Sequence, residues 1–191
     1  MTFRLPGRTK VAAPATGERA EVELVPMRRR HVRQVAAIEE RIFPRPWSPA
    51  LYYSELAMPS TRIYVVALAG DTVVGYAGCM LVVGEGHITT IGVSPEWQRK
   101  RIGMRLLHHL ASEARERGAT SLTLEVRVSN HGAQELYRTF GFVPAGIRKN
   151  YYAEVNEDGL VMWAHGVDSE DYGMRLEEIE NRLQGDPGGE R

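Results

Sequence analysis

The chain carries two hydrophobic rhythms, one of period two and one near 3.6, and their order predicts its elements. A short apolar stretch from Val22 to Pro26 reads as a strand. From about Arg29 to Arg41, the residues Val32, Val35, Ala36, Ile38 and Ile42 recur at helical spacing and predict a first helix. Phe43-Pro44-Arg45-Pro46-Trp47 is a stiff connection, because Pro44, Pro46 and Pro49 forbid helix continuity. Ser48 is a fitting N-cap for a second helix that starts at Pro49 and reaches about Met58. Apolar runs at Ile63–Ala69 and Val73–Val83, joined by Gly70-Asp71, predict a hairpin of buried strands. Gly84-Glu85-Gly86 turns the chain into a further strand from His87 to Val93.

A third helix is marked by Ile102, Leu106, Leu107, Leu110 and Ala114 on one face, and it stops at Gly118 after Arg115 and Arg117. A strand from Ser121 to Val128 and a fourth helix from about His131 to Phe140, capped by Asn130, come next. Strands near Ala145–Tyr151 and Leu160–His165 close the series. Residues 1–20, with Pro6, Gly7, Pro14 and Gly17, are expected to form a flexible lead-in. Residues 168–191 are expected to form a charged tail with a short helix around Met174–Leu183. The order of elements predicts an α/β fold: a mixed, mostly antiparallel sheet of about seven strands with helices on both faces.

Bulk properties narrow the functions. The 191 residues suit one domain with a substantial core. Lys and Arg together number 24, as do Asp and Glu, so no net field favours nucleic acid or an anionic membrane. No apolar run approaches a membrane span, and no signal-peptide core is visible near Met1. The single cysteine, Cys79, suits a reducing cytoplasm. It lies in an apolar strand, where packing is a simpler role than nucleophilic attack. The six histidines lack helical metal-ligand spacing, and His108 and His109 point in different directions, so no metal is expected.

Chemistry concentrates at three places. Ile91-Gly92-Val93-Ser94-Pro95 ends a strand, and Arg99, Lys100, Arg101 and Arg105 surround the start of the third helix. Free N–H groups there with local positive charge form either a phosphate cradle or an ordinary solvated helix start. Neither a dinucleotide fingerprint nor a P-loop is present. Thr123, Glu125 and Arg127 share one face of their strand, opposite Leu122, Leu124 and Val126. Glu125 is thus either a functional carboxylate facing a cleft, or part of a solvated edge or a pair with Arg127. Tyr137 falls in the stripe Ala133, Leu136, Tyr137, Phe140, which is that of a core aromatic with its hydroxyl at a polar edge.

Gln98-Arg99-Lys100-Arg101-Ile102-Gly103 resembles the acyl-CoA pyrophosphate loop of the GCN5-related N-acetyltransferase (GNAT) superfamily. Leu124-Glu125-Val126-Arg127-Val128-Ser129-Asn130, Leu136-Tyr137, Phe140-Gly141-Phe142 and Arg148-Lys149-Asn150-Tyr151-Tyr152 are similar to its RimI-type branch of ribosomal-protein-alanine N-acetyltransferases. Pro46-Trp47-Ser48 and the aromatic segment after it add to this resemblance, which spans roughly residues 21–166 and places the acetyltransferase domain at 21–167.

The resemblance implies a splayed central strand pair and acetyl-CoA as acetyl donor. It sets the backbone of Ile91, Gly92 and Val93 beside the acetyl group. It sets Arg99, Lys100, Arg101, Ile102, Gly103 and Met104 around the pyrophosphate, with the Asn130 side chain on the cofactor. It implies Glu125 as general base and Tyr137 as general acid. An α-amino group with a pKa near ~8 must lose its proton before it can attack a thioester, so these roles are chemically coherent.

Trp47, Tyr151 and Tyr152 are either walls of an acceptor groove or ordinary packing. The implied acceptor is the N-terminal alanine of a small-subunit ribosomal protein, in the cytoplasm. Lysine or small-amine acetylation on the same scaffold is an alternative, as is a non-catalytic acyl-CoA-binding module. Arg101 departs from the loop pattern, which usually has glycine there. If φ is positive, arginine adds strain of about 1 kcal/mol; if not, its guanidinium can supplement phosphate binding.

Overall fold

A computed structural model describes residues 22–185. The expected lead-in at 1–20 and the residues after Gly185 lie outside that range. Seven strands form one sheet: β1 (Val22–Pro26), β2 (Arg62–Ala69), β3 (Thr72–Val82), β4 (Glu85–Val93), β5 (Ser121–Arg127), β6 (Val143–Tyr152) and β7 (Glu157–His165). Their order is β1-β2-β3-β4-β5-β7-β6, antiparallel throughout except for the parallel pair β4–β5. The expected mixed, mostly antiparallel sheet with helices on both faces is what forms.

The helices are α1 (Val32–Ile42), α2 (Pro49–Glu55), α3 (Ile102–Glu116), α4 (His131–Thr139) and α5 (Glu170–Gly185). α1 and α2 cover one face of the sheet, with Val32, Val35, Ile38 and Tyr52 packed on Tyr64, Val66 and Tyr76. α3 and α5 cover the other, where Leu106, Leu107 and Leu110 meet Val65, Ala77, Leu122 and Leu124. Burying each such leucine contributes about 2 kcal/mol, which anchors α3 and with it the turn that precedes it. α2 is shorter than its apolar pattern suggests, because the chain turns at Leu56 and Ala57. α5 is longer than the expected Met174–Leu183. Tyr172, Leu176 and Ile179 recur at helical spacing and are buried in the α3 core, so the segment is a packed amphipathic helix.

One irregularity opens the sheet. β4 pairs with β5 only at Glu85↔Ser121, Gly86↔Leu122 and His87↔Thr123. On its other side β4 carries an extra residue, Thr89, between the pairs Cys79↔Ile88 and Gly78↔Thr90. A bulge bends and twists its strand, and this one falls just where the β4–β5 ladder ends. Beyond His87 the two strands part, and the edge of β4 toward β5 presents alternate backbone N–H and C=O groups to the gap.

Candidate active site

The gap between β4 and β5 broadens into a cleft of about 1500 Å³. At one end lies the turn before α3. Arg99 and Arg101 both have left-handed backbone, with φ of 62° and 59°, and α3 begins without a side-chain cap. The N–H groups of its first turn therefore point outward, and Arg99, Arg101, Ile102, Gly103 and Met104 line the cleft around them. The geometry suits a pyrophosphate. Positive φ at Arg101 selects the strained branch of the two expectations, about 1 kcal/mol for a side-chain-bearing residue. Its Nη1 donates to the Arg182 carbonyl of α5 at 3.2 Å. Lys100 does not line the cleft; its ammonium sits 4.7 Å from the centre of the Trp97 ring.

Of the β4 residues, Ile91 and Val93 line the cleft, whereas Gly92 is buried opposite Tyr76. A Cβ at Gly92 would lie 2.5 Å from the Tyr76 hydroxyl oxygen, so glycine is required by that close approach. Asn130 caps α4, accepting from Ala133 N–H at 3.1 Å, and lines the cleft. The cap orients the side chain with its oxygen toward the helix, and the amide NH₂ group can donate to a ligand. Buried Gln134 fixes the β5–α4 turn by donating to the carbonyls of Arg127 and Val128, at 3.2 and 2.8 Å.

Glu125 and Tyr137 open onto this one cleft from opposite faces of the sheet. Tyr137 packs on the Phe142 ring with centroids 5.9 Å apart, and burial pushes its phenol up to about 12. It keeps its proton at neutral pH, and burial makes it a weaker acid than an ordinary tyrosine. The Glu125 side chain is 6% exposed, so the solvated-edge reading is set aside. Its carboxylate partners are also not Arg127: Oε1 lies 3.0 Å from Arg148 Nη1 and Oε2 lies 2.9 Å from His87 Nε2. The His87 hydrogen bond, with the His87 and Arg148 charges, holds the carboxyl below its ordinary range against the opposing effect of burial.

The other walls come from the α1–α2 side and from β6. The β6–β7 register jumps from Arg148↔Gly159 to Tyr152↔Glu157, and this bulge swings Tyr151 and Tyr152 to the cleft. The Tyr152 hydroxyl donates to the Glu125 carbonyl at 3.1 Å. Trp47 faces the cleft from the proline-rich connection. Its backbone N–H donates at 3.0 Å to Glu39, a carboxylate 1% exposed that also accepts from the hydroxyls of Tyr52 (2.7 Å) and Tyr76 (2.5 Å). Cys79 is fully buried and burial pushes its thiol up to about 12, which removes it as a nucleophile. No group of side chains suited to a metal occurs among the described residues.

Two cleft residues, His87 and Glu39, and Arg148, which pairs with Glu125, carry roles that the local pattern of the chain does not show. Glu39 left a signal, since it falls at i+7 from Val32 in an otherwise apolar stripe. His87 left none, because its meeting with Glu125 depends on the parallel β4–β5 register.

Residues 32–142 match the acetyltransferase (GNAT) family. A Bacillus subtilis protein described as a putative [ribosomal protein bS18]-alanine N-acetyltransferase is 39% identical over 137 residues, covering 72% of this chain and 91% of that protein. The Mycobacterium tuberculosis N-alpha-acetyltransferase RimI is 37% identical over 153 residues, covering 77% and 94%. Among solved structures, the ribosomal-protein-S18-alanine N-acetyltransferase of Escherichia coli superposes with a TM-score of 0.70 at 30% identity, over 76% of this chain and 94% of that one. Parted central strands, an uncapped basic helix start beside them and this extent of likeness lead to one conclusion: the chain is a member of the GNAT family of acetyltransferases.

Proposed function

We propose that this protein moves the acetyl group of acetyl-CoA to the α-amino group of an N-terminal alanine, that of a small-subunit ribosomal protein, in the cytoplasm. The observation that carries the reading is the shared cleft: a carboxylate and a phenol reach it from opposite faces through the β4–β5 gap, with a helix start suited to phosphates at its end. The names of the bacterial relatives support the acceptor.

In this reading the first turn of α3 and the Arg99–Met104 backbone hold the pyrophosphate, and Asn130 donates to the cofactor. Backbone N–H groups of the open β4 edge near Ile91, Gly92 and Val93 face the thioester oxygen, where negative charge develops. Glu125 accepts the ammonium proton, directly or through one water, so that the nitrogen lone pair is free to attack. Tyr137 donates to the departing sulfur. Trp47, Tyr151 and Tyr152 wall the acceptor peptide.

The test is a panel of peptides incubated with labelled acetyl-CoA and read by mass spectrometry. Acetyl transfer to the α-amine of a free alanine-start peptide is the expected result. Preference for a blocked peptide with an internal lysine would replace this reading with lysine acetylation.

A further inference from the structure

We propose, on the acetyl-transfer reading above, that His87 is the outlet for the proton that Glu125 lifts from the acceptor amine. The carboxyl passes it from Oε2 to Nε2 of an imidazole whose own proton is on Nδ1, the imidazolium gives its Nδ1 proton to water, and exchange with water returns the ring to the Nδ1–H tautomer before the next turnover. His87 is the last β4 residue paired with β5, opposite Thr123, and Glu125 stands two residues further along β5. That register brings His87 Nε2 to 2.9 Å from Glu125 Oε2. The Glu125 side chain is 6% exposed and that of His87 31%, so the imidazole is the member of the pair that water reaches.

Arg148 makes the outlet necessary. Its guanidinium lies 3.0 Å from the other carboxylate oxygen and favours the anion, so Glu125 is poorly suited to retain a proton between turnovers. Side-chain chemistry sets the direction of flow. An α-amino group titrates near ~8, an ordinary imidazole near ~6.5 and an ordinary carboxyl near ~4.3. Leaving the proton on a carboxylate is therefore unfavourable by roughly 5,000-fold, and moving it on to an imidazole reduces that to roughly 30-fold. The bookkeeping is complete without a co-reactant. The ammonium N–H breaks as Glu125 O–H forms, and that O–H breaks as imidazole N–H forms. The amine keeps its electron pair for the thioester carbon.

The other ionisable groups around the pair are Arg148 and Tyr151 of β6, Tyr152 at its end, Arg127 of β5 and Tyr137 of α4. Glu154 after β6 and Glu39 of α1 line the same cleft. Tyr64 of β2 reaches Thr89, two residues past His87, and is itself tied to Glu55. None of these is an imidazole, the group type that ordinarily changes charge between pH 5 and 8.

The experiment measures kcat on an alanine-start peptide from pH 5.5 to 9 for wild type, His87→Gln and His87→Ala, with acetyl-CoA affinity recorded for each. The expected result is a kcat lowered about 10- to 100-fold at pH 7 in both variants, with acetyl-CoA affinity held. The acidic limb of the wild-type profile should flatten, and added free imidazole should restore turnover to His87→Ala. If the alanine variant fails to bind acetyl-CoA, the glutamine variant decides through its pH profile. Wild-type turnover and an unchanged acidic limb in His87→Gln would overturn the outlet alone, as would a loss that leaves the limb's shape intact. A wild-type protein that acetylates no amine would overturn the acetyl-transfer reading and the outlet with it.

Discussion

Replacing Glu39 by glutamine should weaken the fold and the acceptor wall together. The Glu39 Oε1 accepts from the Tyr52 and Tyr76 hydroxyls and, at 3.4 Å, from Thr90, while Oε2 accepts from the Trp47 N–H. An amide keeps one acceptor. If its oxygen stays with the hydroxyls, its NH₂ group confronts the Trp47 N–H, and a buried donor left without an acceptor costs about 1–3 kcal/mol. The two tyrosine bonds lose their charge assistance, at about 0.5–1 kcal/mol each. The sum of about 2–5 kcal/mol corresponds to a melting temperature lowered by about 4–20 °C for a chain of this length. Because Trp47 loses its tether, the KM for the acceptor peptide should rise about fivefold, the equivalent of ~1 kcal/mol of lost preorganisation, with acetyl-CoA affinity unchanged. Differential scanning fluorimetry and steady-state kinetics on the same preparation give both numbers. A variant that melts within about 2 °C of wild type would refute the claim that this carboxylate ties α1 to the proline-rich connection.

Four further outcomes follow from the site. Glu125→Gln should lower kcat about 10²- to 10⁴-fold with acetyl-CoA affinity retained, and full activity of the variant from pH 6 to 9 would exclude Glu125 as the base. The same carboxyl is depressed in the folded protein, so its pairing with His87 and Arg148 stabilises the fold above about pH 4.5 and is lost as pH falls through its folded value. The gap in urea midpoint between wild type and Glu125→Gln should therefore shrink below pH 4.5. Tyr137→Phe should lower kcat while leaving thermal stability near wild type, since among the described residues no group hydrogen-bonds that hydroxyl; a large drop in melting temperature would assign the phenol to structure instead. Gly92→Ala should destabilise by about 1–3 kcal/mol, because its Cβ would meet the buried Tyr76 ring, and an unchanged urea midpoint would contradict that packing.

Much of the architecture was legible in the chain because each element states its period locally. The α3 stripe from Ile102 to Ala114, the Ser48 and Asn130 caps and the Gly70-Asp71 hairpin are all encoded within a few residues. What was not legible depends on register. The splay follows from a bulge at Thr89 and a parallel ladder that stops at His87, and neither has a marker in the local pattern. The Glu125 partners come from β4 and β6, 38 and 23 positions away in sequence, and alternation along β5 pointed only to Arg127. The role of α5 was underestimated because its charges mask the spacing of Tyr172, Leu176 and Ile179.

The most direct test of the account is a crystal structure of the protein with a compound joining coenzyme A to an alanine-start peptide. The pyrophosphate should rest on Arg99–Met104, and the junction between the two halves should lie in the gap between Ile91–Val93 and Leu124–Arg127, within reach of Glu125 and Tyr137. A compound seated instead in the smaller cavity of about 470 Å³ between α4 and α5, with the β4–β5 gap left to solvent, would contradict it.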